Sequence, residues 1–277
     1  VKFEGLNVGG SIKTRTAYNM IREAEEQGLI NEDTIIVEPT SGNQGIGLAL
    51  VGAVRGYQTK IIMPDSVSEE RRKLVKHYGA EVILIHDAGN IGACIEECLN
   101  TALRMAAEDP RVSCPSSSRI RRIPLCTGIR RRSRSWNRPA APLMDFVRAS
   151  APAERSPGSA RCSGRTTRDM EIWAVEPEHA AILSGGSIGT HLQMGIGDGV
   201  IPAILNMDIY DEICIVTDEE AIRTSQELAS KEGIMCGISS GTNVAAALKL
   251  ARKLGKGKTV VTVLPDTAER YFFHAPF

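Results

Sequence analysis

Over the first 112 positions, short apolar runs alternate with stretches of helical spacing. Val1–Glu4 reads as a strand. Ser11 to Gly28 places Ile12, Ala17, Met20, Ile21 and Ala24 on one helical face, with Gly28 suited to close the helix. Thr34–Val37 is a buried strand, and Asn43 to Arg55 an apolar helix ended by Gly56. Thr59–Met63 and Val82–Ile85 are strands. Ser68 to Tyr78, with Ser68 as N-cap, and Gly92 to Asp109 are helices. Strands separated by helices predict βαβ units around a mostly parallel sheet, an α/β fold.

The pattern fails between residues 113 and 168, where no period of 2 or 3.6 survives, and an irregular segment is expected there. The strand due after Arg111 is missing from the pattern. Order returns with strands Ile172–Val175 and Glu212–Val216, helices Glu219–Glu232 and Thr242–Leu254, and strand Thr259–Leu264.

Composition changes this picture in one place. The chain has 277 residues, 42% hydrophobic and 24% charged, with 33 basic and 33 acidic side chains. Residues 113–168 hold 13 Arg, no Lys and only Asp145 and Glu154 as acids, a net +11 that the remainder balances. Taken alone this is a nucleic-acid-binding insert. No run of about 18 apolar residues suggests a membrane span. Val1-Lys2-Phe3-Glu4 is not a signal peptide and reads as the inside of a strand, as if the chain starts late. Seven cysteines without metal-type spacing fit free thiols in a reducing cytoplasm.

Four motifs carry candidate chemistry. In Asn7-Val8-Gly9-Gly10-Ser11-Ile12-Lys13 two glycines permit a tight turn before a helix. Lys13 then lies in the first turn, where the helix dipole disfavours its ammonium and so favours a nucleophilic amine. Pro39-Thr40-Ser41-Gly42-Asn43-Gln44-Gly45 follows a strand and opens a helix, so N–H groups and hydroxyls can converge on an anion such as a carboxylate. The glycines do not fit a dinucleotide fingerprint. Gly237-Ile238-Ser239-Ser240-Gly241-Thr242 and Pro265-Asp266-Thr267-Ala268-Glu269-Arg270-Tyr271 complete the set. Each of these last two, alone, is also what a turn with a cap looks like.

Together, in this order and spacing, the motifs resemble the cysteine synthase (O-acetylserine sulfhydrylase) family. So do Glu38-Pro39, Tyr78-Gly79-Ala80-Glu81, Ala174-Val175-Glu176-Pro177, Leu183-Ser184-Gly185-Gly186 and Gly195-Ile196-Gly197. The resemblance covers residues 1–112 and 169–271. It implies a fold-type II pyridoxal 5′-phosphate enzyme with two open twisted α/β domains and the cofactor in the cleft between them. The smaller domain would be 14–112, the larger 1–13 with 169–277. It further implies a homodimer acting on a small amino-acid substrate, O-acetyl-L-serine plus sulfide giving L-cysteine plus acetate, with no metal, nucleic acid or membrane partner. Lys13 would be the catalytic lysine that holds the cofactor as a Schiff base. Asn43 would meet its phenolate oxygen, Gly237 would line the ring, and Thr267 would face the pyridine nitrogen. Thr40, Ser41, Gly42, Asn43 and Gln44 would bind the substrate carboxylate. Val8 and Thr14 depart from the proline and aspartate common in the family, which leaves open another nucleophile: homocysteine, as in cystathionine β-synthase, or an amine, as in a diaminopropionate-pathway synthase. A threonine-dehydratase-like eliminase is a weaker alternative.

Two family elements should fall within 113–168 and are not found: a Q-Q-F-x-N-P segment and a G-x-G-T-G-G loop for the cofactor phosphate. Back-translated and read in the neighbouring frame, Ser113–Pro124 yields V-P-Q-Q-F-E-N-P-A-N-P, and Asp145–Ser159 yields a G-I-G-T-G-G run. The last six residues behave likewise. The basic segment is therefore expected to be out-of-frame translation rather than a nucleic-acid insert. On this reading the chain as written is an inactive or nearly inactive product of a cysteine synthase gene.

Overall fold

The computed structural model describes residues 1–40, 42–89, 91–115, 145–149, 171–197, 201, 205 and 207–272. Ser41, residues 273–277 and most of the stretch where the two further family elements are expected lie outside the described residues. The chain forms two compact units, residues 7–122 and residues 1–6 with 123–277. Lys13 belongs to the first, six residues inside its start.

In the 7–122 unit the order is α1 (Lys13–Glu26), β2 (Ile35–Pro39), α2 (Asn43–Arg55), β3 (Gln58–Pro64), α3 (Glu69–His77), β4 (Glu81–Ile85), α4 (Ile91–Glu108) and β5 (Val112–Ser113), β1 (Lys2–Phe3) belonging to the other unit. The strands form a parallel sheet in the order β4-β3-β2-β5. Strand alternation divides the side chains between two cores. Ile36, Ile61 and Met63 pack with α1 and α2 through Ile21, Ile46 and Leu48. Ile35, Val37 and Ile62 pack with Cys94, Cys98 and Ala102 of α4. Each fully buried Ile or Met contributes about 1.5–3 kcal/mol of transfer free energy. Gly28 (φ +66°) ends α1: its N–H donates to Glu25 and that of Leu29 to Ala24, leaving few carbonyls of the last turn unpaired. Ser68 stands at the N-cap of α3 as expected, but its hydroxyl makes no cap bond; Glu69 and Glu70 in the first turn complement the dipole instead.

The second unit contains β6 (Asp145–Ala149), β7 (Glu171–Pro177), β8 (Glu212–Val216), α5 (Asp218–Glu232), α6 (Ile238–Leu254), β9 (Val260–Val261) and β10 (Val263–Leu264). Its parallel sheet has the order β8-β7-β6-β9, and β1 pairs with β10. Trp173, Val175 and Val216 meet Ile222 of α5 and Ile238, Ala246 and Leu250 of α6. Thr217 caps α5 by accepting from the Glu220 N–H at 3.1 Å.

Three expectations are corrected. A strand does follow Arg111: β5 extends the first sheet, Ile35 pairing with Val112 and Ile36 with Ser113. Nor is 113–168 irregular throughout, because 145–149 form the strand between β7 and β9, pairing from Asp145–Glu171 to Ala149–Val175. A central strand is recruited by backbone hydrogen bonding, since leaving it out would strand the facing edges of β7 and β9. That demand leaves no trace in side-chain period. The single strand expected at Thr259–Leu264 is two, β9 and β10, belonging to different sheets.

Candidate cofactor and substrate site

The turn before α1 closes through the Gly10 N–H and the Asn7 carbonyl at 2.8 Å. Gly9 and Gly10 take φ of +83° and +67°, a region side chains disfavour. The Ser11 hydroxyl accepts from the Lys13 N–H, and the Asn7 amide donates to the Ser11 carbonyl, both at 3.2 Å. Ser11 and Ile12 are buried and Lys13 half-buried, so the lysine is the first helical residue, fixed at its backbone. The two family departures touch: the Thr14 hydroxyl donates to the Val8 carbonyl.

Helix α2 carries the second motif and packs on α1. Gly47 makes this possible, since a Cβ there would stand 2.9 Å from the Lys13 carbonyl oxygen. Asn43, one turn earlier, shares that face. The helix begins on Gly42 with no side-chain cap. The Thr40 N–H donates to the Ile62 carbonyl at 2.9 Å, and its hydroxyl accepts from the Gly42 N–H at 3.3 Å, fixing the loop to β3. Thus Lys13, Thr40 and residues 42–44 are brought to the same ends of two packed helices. Gln44 is buried, its amide donates to the Met20 sulfur at 3.1 Å, and its Oε1 is buried without a hydrogen-bond partner.

In the other unit, Gly237 and Thr267 are neighbours. Cys236 and Thr267 form an antiparallel bridge, and the Gly237 N–H donates to the Asp266 carbonyl at 3.3 Å. A Cβ on Gly237 would collide with Asp266 Oδ1 and lie 2.6 Å from Tyr271 Cε2. The missing side chain therefore makes room for Asp266 and Tyr271. Thr267 opens the 3-10 turn Ala268–Tyr271, and its half-buried hydroxyl makes no cap bond. Burial pushes the adjoining Cys236 thiol up to about 11.

Sequence reasoning gave no role to several buried polar groups. Glu176, at the end of β7, accepts from the Leu183 N–H at 2.6 Å, the Ser184 N–H at 3.1 Å and the Ser184 hydroxyl at 3.0 Å. Gln193 is fully buried and donates to the Val216 carbonyl and to Asp218, both at 2.9 Å, while accepting from Thr242 at 2.8 Å. Asp218 also accepts from the Leu192 N–H at 2.8 Å. These bonds fasten the chain after β7 to α5 and α6. An acid ending an apolar strand, as in Ala174-Val175-Glu176, is the signal that could have marked Glu176. Among the described residues no group of three or more His, Cys, Asp or Glu is placed to hold a metal ion, and no helix is long and apolar enough to cross a membrane.

Comparison with known proteins agrees with this arrangement. The sequence pattern of the family described as "Pyridoxal-phosphate dependent enzyme" matches residues 1–124 and 157–266. A cysteine synthase of Staphylococcus aureus is 39% identical over 272 residues, spanning 98% of this chain and 86% of that protein. The crystal structure of an O-acetylserine dependent cystathionine β-synthase from Helicobacter pylori superposes with a TM-score of 0.88 at 32% identity, covering 99% of this chain and 88% of that one. A hydrogen sulfide-producing enzyme from Fusobacterium nucleatum gives 0.87 at 34% identity, covering 97% and 88%. With the lysine turn, the loop opening α2 and the paired Gly237–Thr267 segments in family order, the chain belongs to the pyridoxal-phosphate dependent enzymes, in the family of the cysteine synthases.

Proposed function

We propose that this chain carries the machinery for β-replacement on O-acetyl-L-serine, with sulfide displacing acetate to give L-cysteine. The observation that carries the reading is the Lys13 backbone pressed against Gly47, which sets half-buried Lys13 at the start of α1 beside the first turn of α2.

The residues present fit pyridoxal 5′-phosphate. The start of α2 has no capping side chain, the Gln44 Oε1 is buried without a partner, and the Thr267 hydroxyl is left out of its cap. When bound, this cofactor withdraws electrons from the α-carbon of an amino acid and so allows its β-substituent to leave. Lys13 holds the cofactor and moves the α-proton at Nζ. Asn43 supports the phenolate oxygen. Thr40, Ser41, Gly42, Asn43 and Gln44 bind and orient the substrate carboxylate at the positive end of the α2 dipole. Gly237 would line the cofactor's ring and Thr267 would offer its hydroxyl to the pyridine nitrogen. A neutral hydroxyl there would leave the pyridine nitrogen unprotonated, a weaker electron sink that would suit elimination over transamination.

A cytoplasmic homodimer completes this reading. It is supported by the family resemblance and by five buried free cysteines among the described residues; sedimentation velocity tests the dimer. The 113–168 segment is proposed to be out of frame, lowering cofactor retention and turnover of the chain as written. The family pattern skips residues 125–156, which supports the proposal for the middle of that span, while it matches 113–124 and 157–168 as written. A second nucleophile, homocysteine, is a rival reading, supported by the likeness to a structure described as an O-acetylserine dependent cystathionine β-synthase. The test is borohydride reduction of the cofactor-loaded chain followed by peptide mapping. The pyridoxyl label is expected on Lys13; a label on another lysine, or none, refutes the assignment. Assays with sulfide and with homocysteine then distinguish the nucleophiles.

A further inference from the structure

Asp266 is 1% exposed, and so is Tyr271, five residues on. A buried carboxylate costs several kcal/mol unless hydrogen bonds replace its water. Here the Tyr271 hydroxyl donates to Asp266 Oδ2, across the 3-10 turn that follows Thr267. The other carboxylate oxygen lies over Gly237, in the space a side chain at 237 would need. The main chain of Asp266 repeats the connection, its carbonyl accepting from the Gly237 N–H at 3.3 Å. The next residue is Thr267, whose backbone bridges Cys236. One residue thus touches 237 through side chain and backbone together, and is covalently joined to 267.

We propose that Asp266, held by Tyr271, is a positioning residue for the cofactor: it sets the spacing and orientation of Gly237 and Thr267, and thereby the grip on the cofactor's ring. The proposal rests on the reading that Gly237 and Thr267 hold that ring. Its physical basis is that a site works only when its contact residues are locked by their own supporting hydrogen bonds. The carboxylate acts through its shape and its acceptor oxygens. An amide at 266 keeps an acceptor for Tyr271, whereas a methyl group removes both the acceptor and the wedge over Gly237.

The chain is titrated with pyridoxal 5′-phosphate, and affinity and the cofactor's absorbance maximum are recorded for the parent, Asp266→Ala, Asp266→Asn, Tyr271→Phe and Thr267→Ala. Asp266→Ala is expected to weaken cofactor binding by about tenfold or more and to move the absorbance maximum, with Asp266→Asn restoring both to within about threefold of the parent. Tyr271→Phe should fall between them. Parent-like binding by Asp266→Ala overturns the proposal. So does an Asp266→Asn as weak as Asp266→Ala, since charge and not placement would then be the cause. Should Asp266→Ala not fold, Tyr271→Phe decides: a loss of about threefold or more supports the proposal, and no loss overturns it. Thr267→Ala separates the two layers. If it binds the cofactor as the parent does, the reading of Thr267 fails; if it is weakened while Asp266→Ala is not, only the present proposal fails.

Discussion

The Thr14 hydroxyl donates to the Val8 carbonyl at 2.5 Å, tying the first turn of α1 to the glycine turn that precedes it. Val8 and Thr14 are thus hydrogen-bonded partners, on either side of Gly9, Gly10 and the lysine. The bond is solvent-exposed, so Thr14→Val should cost about 0.5 kcal/mol, the low end for a hydrogen bond. Urea unfolding measures this. Because the turn holds Lys13, the variant should also lose turnover in larger proportion than stability.

The contact between Gly47 and the Lys13 backbone allows no side chain. Gly47→Ala sets a methyl group 2.9 Å from a carbonyl oxygen that α1 cannot move without shifting its first turn. The gain in helix propensity, about 1 kcal/mol, opposes an overpacking cost of about 1–3 kcal/mol. Net destabilisation by urea melts and reduced borohydride labelling of Lys13 are expected. An unchanged labelling yield would mean that the helix pair tolerates the shift.

Glu176 is 2% exposed and satisfies two backbone N–H groups and a hydroxyl of Leu183 and Ser184. Glu176→Ala removes the acceptor shared by half-buried Leu183 and exposed Ser184, which water can re-pair in part, a loss of about 0.5–1.5 kcal/mol. Hydrogen exchange at Leu183 and Ser184 should accelerate selectively, with β7 itself little changed.

Burial pushes the Cys98 thiol up to about 12 and Cys236 up to about 11. Both groups hold their protons longer in the folded chain than in the unfolded one, whose thiols ionise near 9. Their contribution to stability is therefore complete below pH 9 and is lost as pH rises through 11 to 12. Iodoacetamide at pH 8 should leave both cysteines unmodified in the native protein and alkylate them in urea. Unfolding midpoints should decline on the alkaline side of pH 9.

Restoring the neighbouring frame across 113–168 replaces the Arg-rich stretch with the glutamine segment and the phosphate loop. The frame-corrected chain should bind pyridoxal 5′-phosphate more tightly and gain cysteine-forming activity over the chain as written. Equal affinity and turnover from the two would remove the frame argument, and so would a gene sequence whose adjacent frames encode neither element.

What the sequence determined by itself was local and periodic. The apolar spacing of α1, α2 and the first four strands, the glycine turn before Lys13 and the polar loop opening α2 are properties of neighbouring residues, and the structure places them as read. Tertiary structure decided what depends on residues far apart in the chain. It drew 145–149 into the second sheet because β7 and β9 each needed a hydrogen-bonded neighbour, whatever side chains the strand carried. It turned the Gln44 amide onto Met20, 24 positions away, and set Asp266 and Tyr271 in the space that Gly237 leaves empty. Such choices are made by the closing of a core around buried polar groups, and no window of sequence contains the partners that satisfy them.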